Sequence, residues 1–411
     1  MAVVGAGPAG LMAAIAAAER GRRVVLLEQL ERPGAKLLAT GGGRCNLTNT
    51  LRPPEFMARF GRQGRFMQPA LAAMDARGLR AFLDTLGVPT HAPDGVHVYP
   101  ASDSALDVQR ALWRRAKELR VAVRLGVRVT GLWIEAATLR GLQTEGGRAA
   151  ARRVVLATGG RSHPALGATG TGYVLARQAG HTLVEPTPAL VPLAVREAWP
   201  RRCAGVALRP ARLWIDLPRR SRSGVTGDVL FTHAGLSGPA VLDVSGDVAV
   251  LLGGCREVPI RLDLAPDTPA EAWLRRFDRW QAVGGAKTVR THLDRHLPKS
   301  LAAAVGAAAG IGPEARPAQV ARPARQALAE LLTAAPLTVI GTQGWDAAMV
   351  TRGGVNLKEV DPHTLGSRRL RGLAFAGEIL DLDGPTGGFN LQWAFSSGRL
   401  AGRSAASEPR P

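Results

Sequence analysis

Three glycines near the start of the chain constrain its fold more than any other feature. The run Val3–Gly10 reads VVGAGPAG, so the glycines follow the GxGxxG spacing directly after a strand-like stretch. An apolar helix is predicted to follow to about Arg20, and then a strand that ends in Glu28. This spacing lets a strand turn tightly into a helix whose N-terminal amides bind a pyrophosphate, while the acid binds a ribose hydroxyl. The sequence therefore predicts that the chain binds an adenine dinucleotide.

Size, hydropathy and cysteine usage narrow the class of protein. A chain of 411 residues is long enough for two or three domains. No apolar run reaches the roughly 18 residues of a membrane span, and the start of the sequence lacks a signal-peptide pattern. Cys45, Cys203 and Cys255 are far apart and form no CxxC pair, which disfavours zinc and a disulfide framework. We expect a cytoplasmic protein without a metal, and its oligomeric state is left open.

The formal net charge of +20 raises the question of a nucleic-acid partner, because phosphate contacts favour Lys and Arg. Basic residues are dense in two stretches, Arg110–Arg128 and Arg196–Arg222. The excess is nearly all Arg and is spread along the chain, a bias that genome composition also produces. Trp273, Trp280 and Trp345 either pack in a core or stack on bases or steroids. The charge therefore indicates either a nucleic-acid partner or genome composition, and the tryptophans either core packing or stacking on a ligand.

Changes in pattern divide the chain into four segments. Residues 1–185 are predicted to form the first part of a nucleotide-binding domain, and residues 336–411 its second part. Between them, short β-rich runs alternate with Gly and Pro turns over 186–265, which predicts an inserted sheet or barrel. Residues 266–335 are rich in Ala, Leu and Arg and predict an inserted helical unit.

A second glycine-rich segment lies just past the ribose acid. Gly41, Gly42 and Gly43 are consecutive, which brings main chain close to a ligand, and the basic side chains of Lys36 and Arg44 flank them. Cys45 follows directly. A thiol beside Arg44 is predicted to have a lowered pKa and to act as proton donor or nucleophile. The alternative is that Cys45 is a small packing residue.

The C-terminal part of the chain complements the N-terminal part. A predicted strand ends in Gly377-Glu378, and Gly387-Gly388 then opens an apolar helix. A helix N-terminus carries partial positive charge, which stabilises electron density on a reduced ring. Earlier in the chain, the buried strand that precedes Thr158-Gly159-Gly160 predicts another close approach of main chain to the ligand.

These motifs together resemble the YhiN-like (HI-0933-like) bacterial flavoproteins, also called BaiN/RdsA-type FAD-dependent oxidoreductases. The resemblance runs essentially end to end and rests on the segments 5–10, 40–49, 157–160, 231–239 and 377–390. It implies FAD rather than NAD and an α/β fold. The expected architecture is a glutathione-reductase-like Rossmann FAD domain with an inserted β-rich, barrel-like unit and a helical unit.

The motifs and the resemblance give one set of predicted cofactor contacts. They are Gly5, Ala6, Gly7, Pro8, Ala9, Gly10, Glu28, Lys36, Thr40, Gly41, Gly42, Gly43, Arg44, Cys45, Asn46, Val129, Thr158, Gly159, Gly160, Gly377, Glu378, Gly387, Gly388, Phe389, Asn390 and Leu391. No second GxGxxG is visible in mid-chain, since Gly167–Gly172 lacks that spacing. NAD(P)H is therefore expected only as a transient reductant.

The resemblance implies reduction of an activated C=C bond, with uridine in large-subunit ribosomal RNA as the favoured substrate. The alternatives are a small-molecule ene-reductase for an enone or steroid, an amine oxidase, and a non-catalytic RNA-binding flavoprotein. Cys45 and His233 are the candidate acids that protonate the substrate carbon. His233, in a Gly- and Ser-rich run of the predicted β unit, is equally well explained as a structural histidine at a turn.

Overall fold

The chain divides into two compact units in a computed structural model, which describes residues 1–407. The first unit contains Met1–Thr187 and the chain from Met349 onward, and the second contains Pro188–Ala348. The last four residues of the predicted segment 336–411 lie outside the described residues. Measured against the thickness of a bilayer, every helix in the described part is too short or too polar to span one.

Both units of the described chain contain strands and helices. The strands are β1 (Ala2–Val4), β2 (Val25–Leu27), β3 (Thr48–Asn49), β4 (Thr90–His91), β5 (His97–Pro100), β6 (Ala122–Arg124), β7 (Val129–Glu135), β8 (Thr138–Thr144), β9 (Gly147–Ala150), β10 (Val154–Leu156), β11 (Leu183–Ala189), β12 (Leu193–Val195), β13 (Ala207–Ile215), β14 (Val225–Phe231), β15 (Gly235–Ser237), β16 (Val258–Asp263), β17 (Ala335–Thr342), β18 (Val350–Val355) and β19 (Leu373–Phe375). The helices are α1 (Pro8–Ala18), α2 (Ala35–Ala39), α3 (Pro53–Ala58), α4 (Gln68–Ala73), α5 (Ala76–Thr85), α6 (Ala105–Glu118), α7 (Thr171–Gln178), α8 (Ala198–Arg201), α9 (Pro239–Leu252), α10 (Ala270–Val283), α11 (Val289–Leu293), α12 (Lys299–Ala308), α13 (Arg322–Ala334), α14 (Gly344–Ala347) and α15 (Phe389–Ser407).

The first unit is built on a five-stranded parallel sheet in the order β19-β10-β1-β2-β6. Its three central strands, β10, β1 and β2, are short Val- and Leu-rich runs that are almost fully buried. This pattern is typical of parallel strands covered on both faces. Antiparallel β7-β8-β9 and β3-β5-β4 form two smaller sheets. The sheet order places β1, which carries the glycine turn, at the centre.

Helices α1 and α15 pack with their backbones in direct contact. A Cβ atom placed on Gly398 would overlap the carbonyl oxygen of Ala9, and one on Gly402 would overlap that of Ala13. Only glycine fits at either position. The small residues of α1 are buried on every side of that helix, so its position is fixed by close packing rather than by one apolar stripe.

The second unit is a closed six-stranded barrel, β12-β15-β14-β13-β16-β17, with helices that share its core. Trp273 and Phe277 of α10 belong to the same buried cluster as Phe231 and Leu262 of the barrel. The β-rich and helical segments therefore form one compact unit. These findings confirm the predicted fold class, a Rossmann-type α/β domain with an inserted barrel.

Strand β17 lies in the barrel and not in the second part of the nucleotide-binding domain, where the predicted segment 336–411 placed it. It pairs antiparallel with β16, matching Leu262 with Ala335 and Val258 with Val339. Its alternate residues are buried, so the inward face completes the barrel. A short apolar strand has the same sequence pattern in a barrel and in a parallel sheet, so the sequence alone does not show which of the two it joins.

Replacing Gly402 by Ala is expected to destabilise the protein by about 1–3 kcal/mol, because the new Cβ overlaps the Ala13 carbonyl in a packed helix contact. Gly306→Ala in α12 is the matched control: no atom lies within 4 Å of its Cβ position. That change is expected to stabilise by up to about 1 kcal/mol through helix propensity. Thermal unfolding followed by circular dichroism measures both variants. Equal melting temperatures would contradict the close packing of α1 and α15.

Candidate functional site

A cavity of the first unit opens at the carboxyl edge of the parallel sheet, where β1, β2, β10 and β19 end. It holds about 1310 Å³ of empty space, part of which is open to solvent. Ligands of open α/β sheets bind at this edge. The predicted residues that line it are Gly5, Gly7, Pro8, Ala9, Glu28, Lys36, Thr40, Val129, Thr158, Gly159, Gly377, Glu378, Asn390 and Leu391. Both ends of the chain thus contribute to one cavity.

The first turn fits an adenine dinucleotide through three different glycines. Gly5 has φ +96°, and its Cβ position lies 2.5 Å from the Ala157 carbonyl oxygen. A Cβ on Gly10 would overlap the carbonyl oxygen of Gly5, so this glycine lets the helix pack on the turn. The Cβ position of Gly7, by contrast, faces open space. Its backbone therefore stays accessible beside the N-terminus of α1, where a pyrophosphate is favoured.

Glu28 is held at the end of β2 by two main-chain amides. Its Oε2 accepts a hydrogen bond from Ala6 N at 2.7 Å, and its Oε1 accepts one from Leu30 N at 3.0 Å. The residue is 8% exposed. Each carboxylate oxygen has a second lone pair, so Glu28 keeps the capacity to accept a bond from a ribose hydroxyl.

Lys36 and Glu378 form an ion pair on the cavity wall. Lys36 Nζ lies 2.8 Å from Glu378 Oε2, and it donates to Ser162 Oγ at 2.6 Å. Ser162 Oγ and Thr351 N donate to Glu378 Oε1 at 2.9 and 2.7 Å. Sequence reasoning missed Ser162 and Thr351, because neither belongs to a spaced motif. The network positions a cation and a carboxylate on the wall of the cavity.

The other predicted contacts lie beyond the residues that line the cavity. They are Ala6, Gly10, Gly41, Gly42, Gly43, Arg44, Cys45, Asn46, Gly160, Gly387, Gly388 and Phe389. Asn49 Nδ2 donates to the Gly387 carbonyl oxygen at 3.0 Å, and the Cβ position of Gly388 lies 2.5 Å from the Thr48 carbonyl oxygen. The structure therefore brings the turn before α15 against β3, which follows the second glycine-rich segment.

Cys45 does not have the lowered pKa that its neighbour Arg44 predicted. Its side chain is fully buried, and burial raises the pKa of the thiol to about 12. The Arg44 guanidinium lies 4.4 Å from the ring centre of Tyr99 and donates to Asp103 Oδ1 at 3.0 Å. The predicted lowering of the Cys45 pKa is therefore wrong, because the Arg44 charge contacts Tyr99 and Asp103 instead. A catalytic role of Cys45 stays a prediction.

His233 lies in the second unit, in the turn that joins β14 to β15. Thr232 and Gly235 close this turn, with Thr232 N donating to Gly235 O at 2.8 Å. The His233 side chain is exposed, and no hydrogen bond of its ring occurs within the described residues. Its imidazole is available to a substrate, and its catalytic role stays a prediction.

Sequence reasoning missed a second histidine, His97, which sits beside the turn before α15. Its Nδ1 lies 2.6 Å from Asp94 Oδ2, and hydrogen bonds from this ring and from the Val96 and His97 amides lower the pKa of Asp94. An ionised carboxylate only accepts hydrogen bonds, so Nδ1 of His97 donates to Asp94. Within residues 1–407 the Nε2 atom forms no hydrogen bond. The Cβ position of Gly387 is 2.9 Å from Nε2. The Asp-x-x-His spacing was the available signal.

No group of three metal-binding side chains occurs in residues 1–407.

Comparison with known proteins agrees with this architecture. Residues 1–404 match the family described as the HI0933-like protein Rossmann domain. A 3-dehydro-bile acid delta(4,6)-reductase from Clostridium scindens is 36% identical over 99% of this chain and 99% of its own length. A ribosomal RNA dihydrouridine synthase from Escherichia coli K12 is 31% identical over 96% of this chain and 95% of its own length.

Solved structures give the same fold at lower identity. A 3-ketosteroid-delta4-(5alpha)-dehydrogenase from Rhodococcus jostii RHA1 has a TM-score of 0.53 and 19% identity, covering 99% of this chain and 96% of its own. A flavocytochrome c3 fumarate reductase has a TM-score of 0.51 and 20% identity, covering 98% of this chain and 77% of its own. At 19–20% sequence identity, these similarities show that the chain shares the fold of these proteins.

Two glycine substitutions separate binding from folding. Gly7→Ala places a methyl group in open cavity space, so it is expected to weaken dinucleotide binding about tenfold or more, about 1.4 kcal/mol, without changing the melting temperature. Gly10→Ala overlaps the backbone of Gly5 and is expected to destabilise by about 1–3 kcal/mol. Cofactor titration and thermal unfolding of both proteins check this. If Gly7→Ala binds like wild type, the pyrophosphate does not approach this turn.

Alkylation tests the state of the three cysteines. Cys255 is exposed, whereas Cys45 and Cys203 are buried, and burial raises the pKa of both buried thiols. Iodoacetamide at about pH 8 reacts with thiolates, so the native protein is expected to gain one adduct, on Cys255. Two further adducts are expected after unfolding. Peptide mass mapping reads the positions, and rapid native labelling of Cys45 would contradict its burial.

Proposed function

The chain belongs to the HI0933-like family, and we propose that it is an FAD-dependent oxidoreductase that reduces a C=C bond conjugated to a carbonyl group. The observation that carries this proposal is the cavity at the sheet edge, where Gly7, Glu28 and the Lys36–Glu378 pair fit an adenine dinucleotide. The names of the two relatives above describe the same kind of chemistry. A dihydrouridine and a reduced bile acid both arise by hydrogen addition to a ring double bond.

Uridine in large-subunit ribosomal RNA is the favoured substrate. The Escherichia coli relative acts on ribosomal RNA according to its name, and a net charge of +20 suits a polyanionic partner. A base inside folded RNA must be extruded before it can react. The proposed reaction therefore needs both a site for the base and a surface for the flanking strand.

A small-molecule enone of the bile-acid or steroid class is the second candidate. It is supported by the 36% identity to the Clostridium scindens reductase, which extends over nearly the whole of both chains. This support is as strong as that for ribosomal RNA. Both candidate substrates undergo the same reaction. They differ because ribosomal RNA also needs a binding surface outside the cavity, whereas a small enone does not.

The residues of the first unit would hold FAD along the sheet edge. The amides at the start of α1 would face the pyrophosphate, Glu28 the ribose, and the Lys36–Glu378 pair the chain that leads to the ring. When bound, FAD would supply the two-electron hydride chemistry of the proposed reaction. We expect NAD(P)H as the transient donor.

A histidine is the proposed acid that protonates the substrate carbon. General acids work best with a pKa near the working pH, and the pKa of Cys45, about 12, is far above it. His233 has an exposed ring, and the bond from His97 Nδ1 to Asp94 leaves Nε2 as the ring nitrogen that faces a substrate in this proposal. Cys45 is then a packing residue.

Dihydrouridine mapping tests the favoured substrate. Deleting the gene is expected to abolish one dihydrouridine in large-subunit ribosomal RNA, and the wild-type gene is expected to restore it. A Gly7→Ala gene should restore it poorly, since its product holds the cofactor weakly. Unchanged ribosomal RNA in the deletion strain would exclude this substrate and favour the enone.

Separating the two half-reactions identifies the acid. One of two variants, His97→Gln or His233→Gln, is expected to remove the acid. In that variant the donor should reduce the flavin at the normal rate, but electron transfer from the flavin to the substrate should be about 10²–10⁴-fold slower. Asp94→Asn should slow the same step only if His97 is the acid, because that ring alone depends on Asp94. Stopped-flow flavin absorbance follows both steps. If both Gln variants react at the wild-type rate, neither histidine is the acid.

A further inference from the structure

Aromatic and basic side chains are interleaved on the helical part of the second unit. They come from α10, from α11 and from the chain that surrounds α11. We call them the Trp280 surface, and its members are Trp273, Arg276, Trp280, Lys287, His292, Arg295 and His296. Neither the cavity of the first unit nor the proposed chemistry uses any of them.

The aromatic members form two contacts between α10 and the chain around α11. Trp280 stacks on His292 with ring centres 4.7 Å apart and planes only 13° from parallel. Trp273 meets His296 edge to face at 5.2 Å, and Arg276 lies over the Trp273 ring at 4.8 Å. Trp273 is buried, whereas Trp280 and His292 are partly exposed. The stacked pair is therefore packed on one side and partly exposed to solvent.

The cations of this surface are not neutralised. Within residues 1–407, neither Arg276, Lys287 nor Arg295 forms an ion pair with a carboxylate. Burial lowers the pKa of His292, and Arg295 and Lys287 lower it further. The pKa of His296 is lowered by burial, then by Arg276 and Arg295. Three positive charges thus act together on two imidazoles, with no carboxylate among the causes.

The surrounding sequence keeps the excess of positive charge. Residues 270–296 contain six Arg or Lys residues and three acidic residues. One of the acids, Asp278, is already paired with Arg325. In the two other basic stretches some of the arginines are paired, Arg220 with Asp247 and Arg115 with Glu19. Unpaired cations therefore meet a stacked aromatic pair on the Trp280 surface.

We propose that the Trp280 surface binds a single-stranded segment of the RNA substrate. Arg276, Lys287 and Arg295 contact phosphates, and the Trp280–His292 pair offers a platform on which a base stacks. Single-stranded nucleic acids are bound by this combination of a basic groove and aromatic rings. An acidic peptide would satisfy the cations but leave the stacked pair without a partner. The inference rests on the proposed ribosomal RNA substrate.

The test removes the three cations together. Arg276→Gln, Lys287→Gln and Arg295→Gln are combined in one variant, and the matched control combines Arg110→Gln, Arg120→Gln and Arg128→Gln. The control residues are exposed arginines of the first unit without an ion pair in the described chain. The probe is a fluorescein-labelled oligouridylate of about 20 nucleotides, long enough to cover a typical single-strand site. Binding is measured by anisotropy over a series of KCl concentrations.

The variant that lacks the three cations is expected to bind the oligouridylate at least about tenfold more weakly. Its plot of log Kd against log salt concentration should be less steep by about 2, because each phosphate contact on a single strand contributes about 0.7 to this slope. The control should change affinity less than about threefold. Trp280→Leu should weaken binding without changing the salt slope. Equal losses in both triple variants would overturn the proposal, because the charge would then act diffusely.

Complementation distinguishes this inference from the proposed function. If the surface variant fails to restore the ribosomal dihydrouridine but still binds FAD and melts like wild type, the inference is supported. If it restores the modification fully, the inference is wrong and the function stands. If deleting the gene leaves the ribosomal dihydrouridine unchanged, the substrate proposal fails. The binding assay then decides on the Trp280 surface, because salt-insensitive binding of oligouridylate by the wild-type protein would overturn it as well.

Discussion

Direct contact between backbones at the β1–α1 turn is the constraint on which the first unit depends. Gly10 packs on the Gly5 carbonyl, Gly5 on Ala157, and Gly398 and Gly402 bring α15 onto α1. No side chain separates these elements, so each fixes the position of the next. The result is a helix N-terminus held at the carboxyl edge of the sheet, where a pyrophosphate can meet its amides.

The Lys36–Glu378 pair connects the two ends of the chain across this edge. Lys36 follows Glu28 in the chain, whereas Glu378 follows the last sheet strand, and Ser162 and Thr351 complete their hydrogen bonds. Four segments distant in sequence thus share one polar network. The cavity is therefore complete only when the chain from Met349 onward has returned to the sheet.

Local spacing predicted the parts of the site that depend on neighbouring residues. The glycine turn and Glu28 lie on the cavity because strand, turn and helix are adjacent in sequence. Properties set by distant segments were not predictable. Cys45 is buried by contacts that its neighbour Arg44 does not reveal, His97 reaches the turn at Gly387 from a different sheet, and β17 joins the barrel although its sequence suits either unit. Sequence therefore predicted the fold class and the neighbouring residues that line the cavity, but not the surroundings of Cys45 and His97.

Anaerobic reoxidation of the reduced holoenzyme tests the central claim most directly. Purified protein carrying FAD is reduced by titration, freed of excess reductant, and mixed with unmodified large-subunit ribosomal RNA or with a steroid enone. The account predicts that one of these substrates reoxidises the flavin without oxygen, with one reduced C=C bond formed per FAD. A flavin that stays reduced with both substrates, yet is reoxidised by oxygen with an amine substrate turning over, would contradict C=C reduction as the activity.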